Sequence, residues 1–391
     1  MALTHSIARM VTAQVTTASV LILAAGASTA NPGVNPAASD GEVFSSEEHD
    51  YRLEILHDGL EHPWSIAFLS NGDALVTERP GRLRLIADGE LREEPLEGVP
   101  EIAAVGQGGL LDVVLHPEFE ENRLIYLSYS KSGAEGNTTA LARARFEDET
   151  LNDVEEIFVA DAWGGGGRHF AGRIVFDREG YLYLSVGDRG QQDPAQDTTN
   201  HIGTTLRLHD DGSVPEDNPF VGDSDALDEI YTYGNRNAQG MTLHPETGEV
   251  WQNEHGPRGG DEINLIEAGL NYGWPVITHG VAYSGEPMGV GSEKEGMEQP
   301  LLDWTPSIAP SGMMIYDGDA FPNWQGDVFN GALAKRHVRR VVFDGHEPLH
   351  EEELLVEFGE RIRAVEQGPD DLIYILTDAE NGVVARLAPV D

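Results

Sequence analysis

The sequence predicts an all-β protein whose six similar units form a six-bladed β-propeller. Its 391 residues include 45 glycines and 21 prolines scattered among short apolar runs, which is typical of a chain with many tight turns. One pattern recurs: an apolar strand, a polar turn and a second strand carrying an aromatic or aliphatic residue. Six such units at irregular spacing favour radial repetition. No helical period extends over a dozen residues, with 351–357 as the one candidate exception.

The six units occupy 64–78, 109–130, 172–188, 239–254, 311–333 and 361–378. Their strands alternate in part, and their turns carry the Gly, Asn and Asp expected of hairpins. Residues 51–56, YRLEIL, are placed to close the last blade from the other end of the chain. The alternative is a pair of β-sandwiches, but no linker after residue 50 separates two domains. A propeller gathers loops from every blade around one mouth, so distant residues can form one site.

The first fifty residues read as export and linker sequence. Arg9 precedes the apolar run 20–25, which is followed by small residues up to residue 30, the pattern of a secretory signal peptide at 1–30. The run is too short to span a bilayer as a helix. Residues 31–50 are rich in Pro, Ala, Ser and Glu and are predicted to be a disordered linker. We therefore expect an exported protein, periplasmic or extracellular, whose catalytic propeller occupies 51–391 and is not inserted in a membrane. The alternative is an irregular cytosolic N-terminus.

The charge excludes several classes of partner. The formal net charge is −43, which argues against nucleic acid and against an anionic membrane surface. The acids are dispersed, and the only lysines are Lys131, Lys294 and Lys335, a balance typical of salt-adapted, halophilic proteins. The chain has no cysteine, which excludes thiol catalysis, disulfides and cysteine-bound zinc.

A glycine-rich loop with several acids follows the fourth unit. Residues 251–274 read WQNEHGPRGGDEINLIEAGLNYGW and combine carboxylates with turn carbonyls. These are hard oxygen ligands of the kind that Ca²⁺ takes. The alternative is a polar loop between two strands whose acids face water.

One histidine stands apart from the other thirteen. His169 lies among glycines, in GGGGRHFAGR, just before a strand, and the next strand leads to Asp188. A hairpin can bring the two side chains together, and an aspartate that orients an imidazole is what a general base needs. His116 and His244 both lie in LHPE turns, where a structural role is expected.

Planar and cationic side chains supply the remaining candidates. Arg236, in YGNRNAQG, can clamp a carboxylate or a quinone oxygen that becomes anionic. Gln107, between glycines, can donate a directional hydrogen bond. Arg361 and Arg363 alternate onto one side of a strand, and with Lys335 they form a candidate polyanion site. The alternatives are glycine-rich turns between blades and surface ion pairs, which contribute little.

Six motifs together resemble a known family. From about residue 58 onward the chain is similar to the soluble aldose sugar dehydrogenases that depend on pyrroloquinoline quinone (PQQ), relatives of the soluble quinoprotein glucose dehydrogenase. The motifs follow in the family's order: GQGGLLDVVLHPEF, RHFAGRIVF…LYLSVGD, GNRNAQGM, EHGPRGGDEIN…NYGWP, WTPSIAPSGMMIY and RIRAV. The family fold is a six-bladed propeller, in agreement with the repeat count.

The resemblance implies an activity and a role for each matching residue. The enzyme would oxidise the C1 hydroxyl of an aldose to the lactone with PQQ and Ca²⁺, and then reduce an external electron acceptor. His169 matches the base that removes the hydroxyl proton while hydride passes to the quinone, and Asp188 matches its orienting acid. Arg236 matches a residue at the reacting centre and at the cofactor ring.

The resemblance also implies the cofactor and metal ligands. The matching cofactor positions are Gln107, Arg236 and Asn237 at the ring, Lys335, Arg361 and Arg363 around the carboxylates, and Tyr283 near the cofactor, while Trp304 would line the sugar entrance. The carbonyls of Gly256 and Pro257 match ligands of a Ca²⁺ that also binds the cofactor. Glu262 and Tyr272 match a second, structural calcium position.

The chain departs from the family pattern in three places. His255 stands where the glucose enzyme is expected to have Gln, the segment GALAKRHVRRV aligns loosely, and the loops 131–138 and 283–298 differ. These departures leave open the preferred sugar and the choice between monomer and homodimer. Two other functional classes remain: a non-catalytic propeller that binds carbohydrate or protein, and a metal-dependent hydrolase of the lactonase type.

Overall fold

Six antiparallel sheets surround a central axis in the computed structural model, which describes residues 41–390. The first strand of each sheet contacts the first strand of the next sheet, and the last contacts the first, so that the sheets close a ring. The predicted all-β, six-bladed propeller is confirmed. No helix within 41–390 is long and apolar enough to cross a membrane.

The strands follow the chain blade by blade. The chain begins with β1 (Glu42–Ser45) and β2 (Asp50–Leu60), which belong to blade 6. Blade 1 contains β3 (Pro63–Phe68), β4 (Ala74–Glu78), β5 (Arg82–Ala87) and β6 (Glu90–Leu91). Blade 2 contains β7 (Leu110–Leu115), β8 (Leu124–Gly133), β9 (Gly136–Glu147) and β10 (Thr150–Val159), with the short helix α1 (Phe119–Asn122) between β7 and β8. Blade 3 contains β11 (Ala171–Phe176), β12 (Leu182–Val186), β13 (Thr204–Leu208) and β14 (Ile230–Tyr233).

The second half repeats this order. Blade 4 contains β15 (Ala238–Leu243), β16 (Val250–Glu254), β17 (Asp261–Leu265) and β18 (Leu302–Trp304). Blade 5 contains β19 (Pro310–Ile315), β20 (Val328–Ala332), β21 (His337–Asp344) and β22 (Glu347–Leu354). Blade 6 contains β23 (Ile362–Gln367), β24 (Ile373–Thr377) and β25 (Gly382–Pro389). Single 3₁₀ turns lie at Asp193–Gln196 and Pro322–Trp324.

The N-terminal strands complete the last blade. β2 pairs with β25 from Tyr51↔Pro389 to Leu60↔Gly382, which confirms the closure expected of residues 51–56. β1 pairs with β2, so residues 42–45 form a strand. The predicted disordered linker, 31–50, is therefore wrong over this part, because the strand has an ordered partner. Residues 1–40, with the predicted signal peptide, lie outside the described residues.

The apolar core lies between neighbouring blades. Between blades 5 and 6 the rings of Phe321 and Trp324 stack 4.5 Å apart, and Tyr51 packs edge-on against Trp324. Burying each such side chain contributes roughly 1.5–3 kcal/mol. The candidate helix at 351–357 is wrong, because residues up to Leu354 belong to β22 and pair with β21.

Every blade carries a one-residue bulge near the start of its first strand. In blade 1 the pairing steps from Pro63↔Glu78 to Ser65↔Thr77, which leaves Trp64 unpaired. In blade 6 it steps from Ile362↔Thr377 to Ala364↔Leu376, which leaves Arg363 unpaired. The other shifts are Leu110/Val113, Ala171/Ile174, Ala238/Gly240 and Pro310/Met313. A bulge re-aims a side chain. We call this end of the ring, where first strands begin and second strands end, the mouth.

Candidate active site

His169 and Asp188 meet on the blade 3 side of the mouth. His169 lies just before β11 and Asp188 just after β12, and because these strands are antiparallel the two side chains lie together. His169 Nδ1 is 2.6 Å from Asp188 Oδ1. The proximity expected from the hairpin is therefore present. His169 has a φ of 53°, a left-handed conformation that costs on the order of 1–3 kcal/mol in a non-glycine residue and is concentrated at functional sites.

Asp188 is buried and fully hydrogen-bonded. Its Oδ1 also accepts a bond from the Gly190 amide at 2.6 Å, and its Oδ2 accepts one from Trp274 Nε1 at 2.7 Å. Burial raises the pKa of Asp188, but the hydrogen bonds from His169 and Gly190 and the Arg236 charge outweigh it and leave the pKa below its ordinary value. The carboxylate is therefore ionised and held in one orientation.

The imidazole of His169 is neutral at pH 7. Burial lowers its pKa most, the charges of Arg236 and Arg168 lower it further, and the bond to Asp188 opposes them, so that the net shift is downward. Nδ1 donates to Asp188, and no residue within 41–390 hydrogen-bonds to Nε2. Nε2 is thus free to accept a proton, which is the state that a general base requires.

A buried arginine holds the loop that carries His169. The guanidinium of Arg189 donates to the carbonyls of Arg168 and Gly166, the latter at 3.0 Å, and stacks 3.4 Å from the Phe170 ring. Burial lowers the pKa of Arg189 to about 10, so it stays charged at neutral pH. This contact could not be predicted from the sequence, because it depends on how two glycine-rich turns fold against each other.

A cavity of about 260 Å³ opens at the mouth beside His169. All six blades contribute to its wall, through Trp64, Leu111, Phe170, Gln239, Leu333 and Arg363. Four of these side chains lie at the bulges of blades 1, 2, 4 and 6. The bulges therefore supply much of the cavity wall.

The blade 6 side of the cavity is cationic. Arg361 Nη2 lies 2.8 Å from Asp378 Oδ2, and Arg363 Nη1 donates to Gln239 Oε1 at 2.9 Å. Burial raises the pKa of Asp378, but Arg363, His62 and Arg361 together hold it far below its ordinary value. Burial lowers the pKa of Arg363 to about 10.

Three polar residues join the base to the cavity. Gln107 Oε1 accepts the His169 amide at 2.8 Å, and Asn237 Oδ1 accepts the Ala171 amide at 3.2 Å; both line the cavity. Arg236 lies behind them, where its Nη1 donates to the His255 carbonyl at 2.9 Å and its guanidinium lies 5.1 Å from the Trp274 ring. The predicted ring-binding residues are thus adjacent to the predicted base.

The glycine-rich loop of blade 4 folds tightly. A Cβ on Gly256 would lie 2.2 Å from the Gly260 carbonyl oxygen, so only glycine fits this turn. Gly256 and Pro257 are buried, and the Gly256 amide donates to Asp261 Oδ1 at 2.9 Å. Asp261 Oδ2 accepts bonds from Ser307, Ile308 and Ala309. The Asp261 carboxylate therefore links blade 4 to the segment that leads into blade 5, and both of its oxygens are hydrogen-bonded.

A second cavity, of about 10 Å³, lies behind this loop and is lined by Glu254, Glu262 and Tyr272. Burial raises the pKa of Glu262 well above its ordinary value, and the charge of Glu254 raises it further. Burial also raises the pKa of Glu254. The space holds about one water-sized sphere. Two facing carboxylates around such a space suit a hard cation, although within 41–390 no group of three or more His, Asp or Glu is placed to hold a metal.

The Tyr272 hydroxyl is already engaged. It donates to the Leu265 carbonyl and accepts the Glu267 amide at 3.0 Å. A metal ligand at this position would therefore be the backbone carbonyl. His255 lines the larger cavity, with Nε2 2.6 Å from the Pro310 carbonyl. Burial, with the Arg236 charge, lowers its pKa to about 3, so it is a neutral donor.

Three predicted positions lie away from the cavity. Tyr283 is 73% exposed and does not line the cavity, because its loop projects from blade 4. Lys335 is exposed beyond Leu333, which does line it. Trp304 was expected at the sugar entrance, and this is wrong: its ring is buried in the core between blades 4 and 5, and its Nε1 donates to Glu351 at 2.7 Å.

Several residues of the mouth were not predicted from the sequence. Trp64, Arg79 and Asp378 line the cavity, and Trp274 binds Asp188. A shared position could have revealed two of them, since Arg79 and Asp378 each follow the second strand of a blade directly, as His255 does. In an antiparallel blade this position lies beside the start of the first strand.

Most of the chain is similar to known sugar dehydrogenases. The family model for glucose/sorbosone dehydrogenase matches residues 60–386. The aldose sugar dehydrogenase YliI of Escherichia coli is 44% identical over 343 residues, covering 86% of this chain and 92% of that protein. The apo structure of the soluble aldose sugar dehydrogenase from E. coli has a TM-score of 0.85 at 43% identity, covering 87% of this chain and all of that one. The PQQ-bound aldose sugar dehydrogenase of Streptomyces coelicolor has a TM-score of 0.71 at 25% identity, covering 86% and 98%.

Proposed function

The chain belongs to the glucose/sorbosone dehydrogenase family, and from this premise we propose that it oxidises the C1 hydroxyl of an aldose to the lactone with PQQ as cofactor. One observation carries the proposal. A neutral imidazole with a free Nε2, oriented by a buried, ionised aspartate, lies beside a cavity that contains more arginines than carboxylates. The first half of this arrangement suits proton removal, and the second suits an anionic cofactor.

The larger cavity fits PQQ in charge and shape. PQQ is a planar tricarboxylate, and the cavity lining contains Arg79, Arg361 and Arg363 against the single carboxylate of Asp378. Guanidinium groups bind carboxylates through paired, charge-assisted hydrogen bonds. We propose that Arg361 and Arg363 hold the cofactor carboxylates and that Gln107 and Asn237 contact its ring, with Lys335 adding long-range attraction from the rim. When bound, the quinone supplies the hydride acceptor.

The protein's own part in the reaction is to position the sugar and take a proton. His169 Nε2 would accept the C1 hydroxyl proton, and Asp188 would stabilise the imidazolium so formed through its bond to Nδ1. General-base catalysis of this kind contributes about 10²–10⁴-fold in rate. Arg236, behind the base, would keep positive charge close to the oxygens that become negative.

We propose two calcium positions at the blade 4 loop. The Gly256 and Pro257 carbonyls would hold a Ca²⁺, which would supply Lewis acidity that stabilises negative charge on the cofactor. Glu262, with the backbone of Tyr272, would hold a second ion in the small cavity. Burial raises the pKa values of Glu254 and Glu262, the Glu254 charge raises that of Glu262 further, and a bound cation would offset this repulsion.

We further propose that the protein is exported, with residues 1–30 as its signal, and that it passes electrons to an external acceptor. The test is reconstitution of the purified apo-protein with PQQ and Ca²⁺, followed by dye-linked oxidation of a panel of aldoses at several salt concentrations. We expect turnover only when both are added. Protein that neither binds PQQ nor oxidises any aldose would overturn the proposal. Lactone hydrolysis without PQQ would favour a hydrolase, and sugar binding without turnover would favour a non-catalytic propeller.

A further inference from the structure

Arg79 is a charged residue of the cavity whose side chain has no partner among residues 41–390. It follows β4 in blade 1 and lines the cavity together with Arg361 and Arg363. The other two arginines bind Asp378, whereas no residue within 41–390 accepts a hydrogen bond from the Arg79 guanidinium or pairs with it. The neighbouring acid, Glu78, is occupied by Arg82 at 2.7 Å and by Arg84 at 3.3 Å.

The backbone of Arg79 is fixed at both ends. Its amide donates to the His62 carbonyl at 3.1 Å, and its carbonyl accepts the Leu110 amide at 3.1 Å. Gly109 leaves room for its stem, because a Cβ there would lie 2.5 Å from Arg79 Cγ and 1.9 Å from the Arg79 carbonyl oxygen. The fold thus holds the start of this side chain at the cavity wall before any ligand is present, which reduces the entropy lost on binding.

The charges of the cavity are out of balance. Its lining contains three arginines and one aspartate, so two positive charges lack a counter-charge in the wall. The Arg79 charge also reaches Arg363, where it contributes to that residue's lowered pKa. Elsewhere in the protein arginines are commonly matched, as Arg340 is by Asp327 and Glu352. An anion entering here would relieve the repulsion between the arginines and satisfy a free guanidinium.

We propose that Arg79 binds a carboxylate of the cofactor and so acts as a third arginine of the cofactor site, on the same side of the mouth as Arg361 and Arg363. The inference rests on the proposed function and adds to it, because the resemblance to the family assigns no role to this position. The chemistry is a guanidinium–carboxylate contact. A carboxylate on the sugar could offer the same chemistry, and the test below separates the two.

The test is titration of apo-protein with PQQ at fixed Ca²⁺, with binding monitored by the quenching of tryptophan fluorescence. Trp64, in the cavity wall, is expected to be one of the tryptophans that PQQ quenches. We expect Arg79→Gln to weaken PQQ binding by about 10- to 100-fold, the range for a lost hydrogen bond to a charged group. Arg79→Lys should weaken PQQ binding less than Arg79→Gln does, because lysine keeps the positive charge but lacks the paired donors of the guanidinium. Arg178→Gln is the matched control, since Arg178 lies in the β11–β12 turn at the far end of blade 3.

Each outcome decides the proposal. Equal PQQ affinity in wild-type protein and in Arg79→Gln would overturn it while leaving the proposed function intact. Wild-type protein that does not bind PQQ would overturn both. Unchanged PQQ affinity with a raised KM for a uronic acid, but not for a neutral aldose, would assign Arg79 to the substrate instead. Thermal melting of the apo-proteins checks folding, and if Arg79→Gln does not fold, Arg79→Lys provides the comparison.

Discussion

The two sides of the mouth are built in opposite ways. On the blade 3 side, one imidazole faces one carboxylate, and Asp188 uses both oxygens in short hydrogen bonds. On the blade 6 and blade 1 side, three arginines line the cavity: Arg361 and Arg363 share Asp378, and Arg79 has no partner within 41–390. The first side is matched in charge and fixed in geometry, whereas the second has surplus charge.

This difference separates two tasks. Proton transfer depends on the position and protonation state of one atom, and the proposed base, His169, is oriented through Nδ1 by the buried Asp188. Binding an anion in a protein of net charge −43 depends on a local excess of cations. Substitutions on the first side should therefore reduce turnover, and substitutions on the second side should reduce cofactor affinity.

The largest effect is expected at the base itself. His169→Ala should reduce kcat by about 10²–10⁴-fold, because no other group beside it can take the proton. PQQ affinity should be unchanged, since the His169 side chain makes no hydrogen bond within 41–390 to Arg79, Arg361 or Arg363, the arginines that line the cavity. Steady-state kinetics at saturating PQQ and a separate PQQ titration measure the two quantities. His346→Ala, on the outer part of blade 5, is the control. Unchanged kcat in His169→Ala would remove this residue from the mechanism.

An intermediate effect is expected on the cationic side. Arg363→Gln should weaken PQQ binding by about 10- to 100-fold, because it removes a buried charge-assisted donor. At saturating PQQ, kcat should remain close to the wild-type value. Arg386→Gln, which removes a surface arginine paired with Glu54, provides the comparison. A fall in kcat without a change in affinity would mean that the two sides do not divide the tasks.

A smaller effect is expected at Trp274, a positioning residue for the base. Trp274→Phe removes the donor to Asp188 Oδ2 and should reduce kcat/KM by about 10-fold. Asp188 would then stabilise the imidazolium more strongly, so the His169 pKa would rise and the acid limb of the pH profile would move to higher pH. Trp251→Phe is the matched control, because Trp251 Nε1 has no hydrogen-bond partner in the described chain. A lower rate with an unmoved acid limb would indicate only a packing role.

The smallest effect concerns stability. Burial lowers the pKa of His255 to about 3 and that of His337 to about 4, so the folded chain keeps both neutral while the unfolded chain protonates them below about pH 6.5. Falling pH should therefore lower the free energy of unfolding by about 1.4 kcal/mol per pH unit for each histidine. Apo-protein melting between pH 7 and 5 measures the loss. His337→Gln should make stability fall less steeply between pH 7 and 5. An equal slope in that variant would contradict a lowered pKa for His337.

The ring itself could be predicted from the sequence because strand alternation and turn residues repeat. A segment such as IYILT in β24 is mostly apolar, and all five of its residues are buried, as expected of a strand covered on both faces. The bulges could not be predicted, since one extra residue leaves the pattern on either side intact. Trp64 reads as an ordinary strand residue, yet it faces the cavity for this reason.

The site could be predicted in part. The hairpin placed Asp188 beside His169, and alternation placed Arg361 and Arg363 near one carboxylate, although that carboxylate, Asp378, was missed. Tyr283 lies on a long loop whose course depends on contacts with the rest of blade 4, which local pattern does not encode. The catalytic and binding roles of all these residues remain predictions.

The pairing of β2 with β25 also has a consequence for the synthesis and folding of the chain. The two partners, Asp50–Leu60 and Gly382–Pro389, lie at opposite ends of the propeller sequence. The ribosome must complete β25 before blade 6 can form, and until then blades 1 and 5 each expose an apolar face. If the protein is exported as proposed, this delay would help to keep the chain unfolded until it has passed the translocation pore. Until the ring closes, the exposed apolar faces are surfaces of the kind that chaperones bind and that promote aggregation.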